Sequence, residues 1–179
     1  LKTFPKKEKI IIFTGKLNSS KGYDIFGKAT LKILNIFPDW KAYAIGNERR
    51  EIHSFKHKNY KILNWLPHYK ILNFYKKSSI SIVCSRWQEP FGRTAMESAA
   101  YACATVTSNR GGLSETFNTN LVLKDLNYSS LEKLIKKIIL DKRMLKNIQK
   151  NNFSNVIHKI DFLVSKVDNL KRNFLEKKI

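Results

Sequence analysis

Short apolar runs alternate with amphipathic stretches along this chain, and glycine or proline punctuates the junctions; no other feature constrains its fold as much. Lys9 to Thr14 reads KIIIFT, a continuous apolar run. A strand has this appearance when both of its faces are covered, because successive side chains point to opposite faces and all must be buried. Gly15 and Gly22 bracket the polar loop that follows. From Tyr23 to Phe37 the apolar residues then fall at 26, 29, 33 and 37, close to helical spacing, until Pro38 ends the pattern.

The cycle recurs. Trp40 to Ile45 reads as a second strand closed by Gly46, and Tyr60 to Trp65 as a third. Pro67 opens a helix through His68 to Lys77, Ser79 to Cys84 is the fourth strand, and Gly92 to Ala102 is the helix behind it. With Thr105 to Ser108 and Asn120 to Leu123 the count reaches about six strands. Such alternation defines an α/β architecture, a Rossmann-like doubly wound parallel sheet.

Beyond the strands the chain turns helical. Residues 131, 134, 135, 138 and 139 make an amphipathic stripe, Ser129 with Glu132 a capping box at its start, and Asp141 a cap for the next helix. Asp161 would cap a last helix with the stripe Leu163, Val167, Leu170 and Phe174. We therefore expect a domain over 1–160 and a terminal helix over 161–179, which either packs on that domain's edge or returns as an arm to a domain outside the chain.

Composition narrows the partners. A chain of 179 residues with 42% hydrophobic content can bury one core of its own. It has no apolar run of ~18 residues, and its Lys-rich start lacks the apolar stretch of a signal peptide, so a cytoplasmic protein is expected. It begins at Leu1, as expected of an excised fragment. The formal charge of +20 would attract nucleic acid, an anionic membrane surface or a phosphorylated small molecule. Aromatic residues fall in the apolar runs instead of alternating with basic patches, which argues against nucleic acid. Cys84 and Cys103 are too few for a disulfide framework and suit a reducing compartment. His53 and His57 stand four apart, as on one helix face, but have no convincing ligand partners; no metal site is expected.

In doubly wound sheets ligands bind beyond the C-terminal strand ends, so the loops there hold the candidate residues. After the first strand comes GKLNSSKG, Gly15 to Gly22, where glycine permits close approach to a ligand and Lys16 and Lys21 can offset phosphate charge; by itself it reads first as a solvated turn. After the fourth strand comes Ser85 to Glu97. Pro90 keeps Glu89 on a loop, and Gly92 opens a helix whose first N–H groups, near Arg93 and Thr94, favour an anionic or oxygen-rich ligand. Glu97 lies on that helix among small apolar residues. After the fifth strand, Gly111 and Gly112 lead into another helix.

Together these loops resemble the donor domain of the family 4 retaining glycosyltransferases, which have the two-domain GT-B fold. The resemblance rests on Glu89 and Glu97 with seven residues between them, on GKLNSSKG, on Asn64 to Ser85 and on RGGLSET at Arg110 to Thr116. It implies that Lys16 and Lys21 hold a donor diphosphate, with Gly15 in the same loop. Glu89, with the backbone at Phe91 and Gly92, would hold the transferring sugar, and Glu97 the ribose hydroxyls. Arg93, Thr94 and the helix start would lie near the phosphates, and Trp65, Pro67 and His68 near the base. Glu89, Lys21 and Lys16 are then the catalytic candidates. Lys16 stands where the family has arginine, Asn64 where it has glycine, and Cys103 and Ala104 where it has glycine and proline.

The resemblance further implies a nucleoside-diphosphate sugar as co-substrate, UDP first with GDP or ADP as alternatives, and no metal or other cofactor. It implies hexosyl transfer with retention, in polysaccharide or lipopolysaccharide biosynthesis, to an acceptor held by an N-terminal domain absent from this chain. The isolated fragment is expected to bind donor without turnover. A GT-B sugar-nucleotide epimerase and a basic nucleic-acid module are the competing readings.

Overall fold

The computed structural model describes residues 3–113 and 121–176. All six strands run parallel in the order β3-β2-β1-β4-β5-β6: β1 Glu8–Thr14, β2 Lys41–Ile45, β3 Tyr60–Leu63, β4 Ser78–Val83, β5 Ala104–Ser108 and β6 Val122–Leu123. The apolar runs hold the middle of this sheet. Ile10 to Phe13 of β1 are buried, as is every residue of β5, because helices cover both faces.

On one face, α1 (Tyr23–Ile36) and α4 (Tyr128–Leu140) share a core with the sheet through Phe26, Ile33, Leu34, Leu131, Ile135 and Ile138. On the other lie α2 (His68–Lys77), α3 (Arg93–Ala100) and α5 (Lys142–Glu176); Tyr75 packs on Ile12 and Ile45, and Val156 on Ala95 and Ala99. Buried amides of α5 reach the strand starts: Gln149 donates to Ser79 O at 3.0 Å and Asn152 to Cys103 O at 2.8 Å. This leaves the opposite, C-terminal strand ends open. Strand order reverses between β1 and β4, so the helices that follow these two strands, α1 and α3, cover opposite faces of the sheet and leave a crevice between their starts.

Several expectations need correcting. The first helix after the strands is capped by Asn127, whose side chain accepts the Ser130 N–H at 2.9 Å; Ser129 lies inside the helix, because the start is set by the phase that buries Leu131 and Ile135. Asp141 does cap α5, accepting the Met144 N–H at 2.8 Å. No helix begins at Asp161, since α5 runs unbroken from Lys142 to Glu176. Of the proposed stripe, Val167 is exposed, and the side chains of Leu163, Leu170 and Phe174 fall outside the description. His53 and His57 share no helix. They sit in the β2–β3 loop, where His53 stacks on Phe55 and pairs with Glu51, and His57 Nδ1 accepts the Asn59 N–H. The left-handed backbone before β5 falls on Ala102, with φ 60°, one residue ahead of Cys103, where the missing glycine was placed. Both cysteines are free and buried.

Candidate functional site

The β1–α1 loop is folded back on the end of β4. Gly22 has φ 76°, and a Cβ added there would stand 2.0 Å from Cys84 O, so only glycine permits the approach. Hydrogen bonds then stitch this loop to the β4–α3 loop. Ser20 O accepts the N–H groups of Arg86 at 2.9 Å and Trp87 at 3.1 Å, while the Arg86 guanidinium donates to Ser19 O and to both carboxylate oxygens of Asp24. Burial alone would raise the Asp24 pKa, but the hydrogen bonds and charge of Arg86 outweigh it and hold the carboxyl below its ordinary value.

A second set of bonds ties the same loop to β2–β3. Asn18 caps the turn at Ser19–Lys21 by accepting the Lys21 N–H at 3.0 Å, and donates to Glu48 at 3.1 Å. Glu51 accepts from the N–H and the hydroxyl of Ser19. Arg50, then the remaining donors, bring the Glu48 carboxyl down from 4.5 to about 2, and the Ser19 bonds lower Glu51 as well. Carboxylates depressed in the folded state stabilise it above their unfolded pKa and lose that contribution as pH falls through the folded one. Because Arg50 is exposed and its pairing with Glu48 is screened, only a slight flattening of acid unfolding between pH 4.5 and about 2 is expected in Glu48→Gln, read by circular dichroism across that range.

The third connection fixes Glu89. Its carbonyl accepts the Gly112 N–H at 2.6 Å, and its backbone bridges to Gly111. The helix expected after Gly111 and Gly112 falls on residues 114–120, which lie outside the described residues.

These ties surround a cleft of about 640 Å³ at the switch point. Gly15, Lys16, Lys21, Trp65, Glu89, Arg93 and Thr94 line it, so the loops after β1, β3 and β4 meet there, whereas the described residues of the loop after β5, expected as the third of the converging loops, do not line it. Lys21 Nζ donates to Glu89 Oε1 at 2.5 Å, which brings two of the three catalytic candidates into direct contact. Trp65 is held by its indole N–H donating to Asn47 Oδ1. Arg93 and Thr94 begin α3, where the N–H groups precede the first intrahelical bond.

Pro67, Phe91, Gly92 and Glu97 do not line the cleft. Pro67 is exposed ahead of α2, Phe91 is exposed, and Gly92, with φ 77°, is the residue before α3. Glu97 is one layer back: its Oε1 lies 3.1 Å from His68 Nε2 and 3.5 Å from Arg93 Nη2, which links it to the cleft through Arg93. Sequence reading missed Arg50, Trp87, Asn18, Ser20 and Ser85, all of which line the cleft. For Asn18, Ser20, Ser85 and Trp87 the signal was position, in the loops that follow β1 and β4, whereas Arg50 lies within a charge run that carries no such signal. Among the described residues no group of three or more His, Cys, Asp or Glu could hold a metal ion, and no helix is long and apolar enough to cross a membrane.

Six parallel strands in this order, with a cation-lined cleft at the reversal, define a Rossmann-like domain of the kind GT-B glycosyltransferases carry. The chain belongs to the family described as glycosyl transferases group 1, which it matches over residues 2–154. It is similar to a glycosyltransferase from Rickettsia africae ESF-5, with a TM-score of 0.78 and 25% identity over 96% of this chain and 49% of that one. It is similar also to the C-terminal domain of the group 1 family protein LpcC from Francisella tularensis, with a TM-score of 0.75 and 23% identity over 88% of each chain. A third likeness is to Anabaena HepE, solved in complex with UDP and glucose, with a TM-score of 0.71 and 17% identity over 91% of this chain and 49% of that one. The chain spans less than half the length of the curated relatives it matches, 42% of one and 31% of another.

Proposed function

We propose that this chain is the donor-binding, C-terminal half of a retaining family 4 glycosyltransferase, which moves a hexosyl group from a nucleoside diphosphate to a saccharide or lipid-linked acceptor. One observation carries the reading: Lys16, Lys21, Glu89 and the first turn of α3 converge on a single cleft from different loops. Lys16 and Lys21 bind the diphosphate, with Thr94 and the α3 N–H groups beside them. Glu89 orients the sugar together with the backbone at Phe91 and Gly92, Glu97 binds the ribose, and Trp65 to His68 border the base. That HepE, which shares the fold, was solved with UDP and glucose supports this class of ligand. The family match gives no support to an epimerase.

In the reaction the bond from the anomeric carbon to the diphosphate oxygen breaks, and its electron pair leaves with the diphosphate. The acceptor oxygen bonds to that carbon on the same face, and its proton passes to the departing phosphate. Negative charge therefore grows beside Lys16, Lys21 and the α3 N–H groups, where each well-placed donor contributes about 3 kcal/mol. This supply of positive charge is the basis for a metal-independent, cofactor-free step. The Lys21–Glu89 pair opens as donor enters, so that Lys21 turns to phosphate and Glu89 to the sugar.

An N-terminal domain outside this chain would hold the acceptor, with residues 161–179 as the arm toward it. The excess of basic residues suits a position at the anionic, cytoplasmic face of a membrane, where polysaccharide or lipopolysaccharide precursors are assembled. Titration calorimetry of this chain with UDP, GDP and ADP is expected to give binding heat with UDP first. Absence of heat with all three would refute the reading.

A further inference from the structure

The diphosphate site proposed above contains two lysines, and lysine is a compact point charge. It cannot engage two phosphate oxygens side by side as a guanidinium does. Arg50, from the β2–β3 loop, lines the same cleft as Lys16 and Lys21 and borders the smaller adjoining hollow with Lys16, Asn47 and Trp65.

Arg50 is held in place. Its Nε donates to Glu48 Oε1 at 3.0 Å, its Nη2 to Glu48 Oε2 at 3.1 Å, and its backbone N–H to Oε1 at 3.2 Å. Glu48 is itself anchored: its side chain is only 8% exposed, and it accepts from Asn18, the residue that also accepts the Lys21 N–H. Arg50 and Lys21 are thus mounted on one hydrogen-bonded frame. An ion pair with so exposed an arginine, whose side chain is 79% accessible, adds little to stability, so the Arg50–Glu48 pair is not accounted for by folding. A guanidinium has five N–H donors, and Glu48 engages its Nε edge, which leaves the Nη1 edge for a ligand in the cleft.

We infer that Arg50 is a third cationic ligand of the donor diphosphate, which supplies from the β2–β3 loop the planar fork that the two lysines lack. Glu48 is then a positioning residue, which sets the plane of the fork. The inference rests on the donor-binding reading and deepens it.

The test is calorimetry of the 179-residue chain with UDP, and with uridine, which has the same base and ribose but no diphosphate. Arg50→Ala is expected to weaken UDP about tenfold and to leave uridine unchanged, with the circular dichroism spectrum and melting temperature of the unaltered chain. Arg50→Lys, which keeps the charge and loses the fork, is expected to recover only part of the affinity. Lys16→Arg in the Arg50→Ala background is expected to restore it, because a fork again enters the cleft. If Arg50→Ala and Arg50→Lys bind UDP as the unaltered chain does while Lys21→Ala weakens it, the inference falls and the diphosphate site stands. If the unaltered chain binds neither UDP, GDP nor ADP, the donor-binding reading falls and takes the inference with it.

Discussion

Replacing Gly22 by alanine is expected to lower the melting temperature by roughly 10 °C. Two costs add. The left-handed backbone at φ 76° costs a side-chain-bearing residue about 1–2 kcal/mol. The new Cβ would also stand 2.0 Å from Cys84 O and 2.8 Å from Cys84 C, atoms of the backbone just past β4, which cannot swing aside as a flexible side chain could. Overpacking of this kind costs about 1–3 kcal/mol more, and in a domain of this size each kcal/mol lowers the midpoint by about 2–4 °C. Gly15→Ala is the control within the same loop. Its φ of 138° is also strained for alanine, but an added Cβ there meets nothing within 4 Å, so a smaller fall is expected. Equal falls in the two variants would show that the close approach to Cys84 is not the cause. UDP binding should weaken in Gly22→Ala as well, because the residue joins the turn carrying Lys21 to the strand end that leads to Glu89.

How far the molecule was legible before its structure depended on the range of the interactions involved. Ile10 to Phe13 announced a strand buried on both faces because burial itself writes the apolar run, and Pro38 and Pro67 marked helix limits by local backbone chemistry. Asp141 was legible as a cap for the same local reason, whereas Ser129 was misread because Asn127, two residues earlier, can also cap and burial of Leu131 decides between them. In the site, Lys16, Lys21 and Glu89 were found by their position after strands. Arg50 was not, since within NERR it looks like any solvated charge run; its placement depends on Glu48 and Asn18, which come from two different loops and meet only in the fold. Nor could spacing along the chain reveal that Lys21 and Glu89 touch, or that His68 from α2 reaches Glu97 on α3.

Replacing Glu97 by alanine is expected to weaken UDP binding about a hundredfold in calorimetry of this chain. Two ribose hydroxyls donating to a carboxylate make hydrogen bonds of about 1.5–3 kcal/mol each, so a loss of about 3 kcal/mol is a moderate figure. The present partners of Glu97 allow a contrary outcome, which makes the sign of the change informative. His68 lies 3.1 Å and Arg93 3.5 Å from its Oε1, and Arg93 lines the cleft. If Glu97 served only to balance these two groups, its removal would make the cleft more positive and UDP would bind more tightly. Inorganic pyrophosphate separates the two effects, because it reports the phosphate subsite without a ribose. Glu97→Ala should leave pyrophosphate binding unchanged or tighter while UDP weakens, and Glu97→Gln, which keeps an acceptor oxygen without the charge, should fall between. Tighter binding of both ligands in Glu97→Ala would remove Glu97 from the ribose subsite and assign it to the charge balance of Arg93.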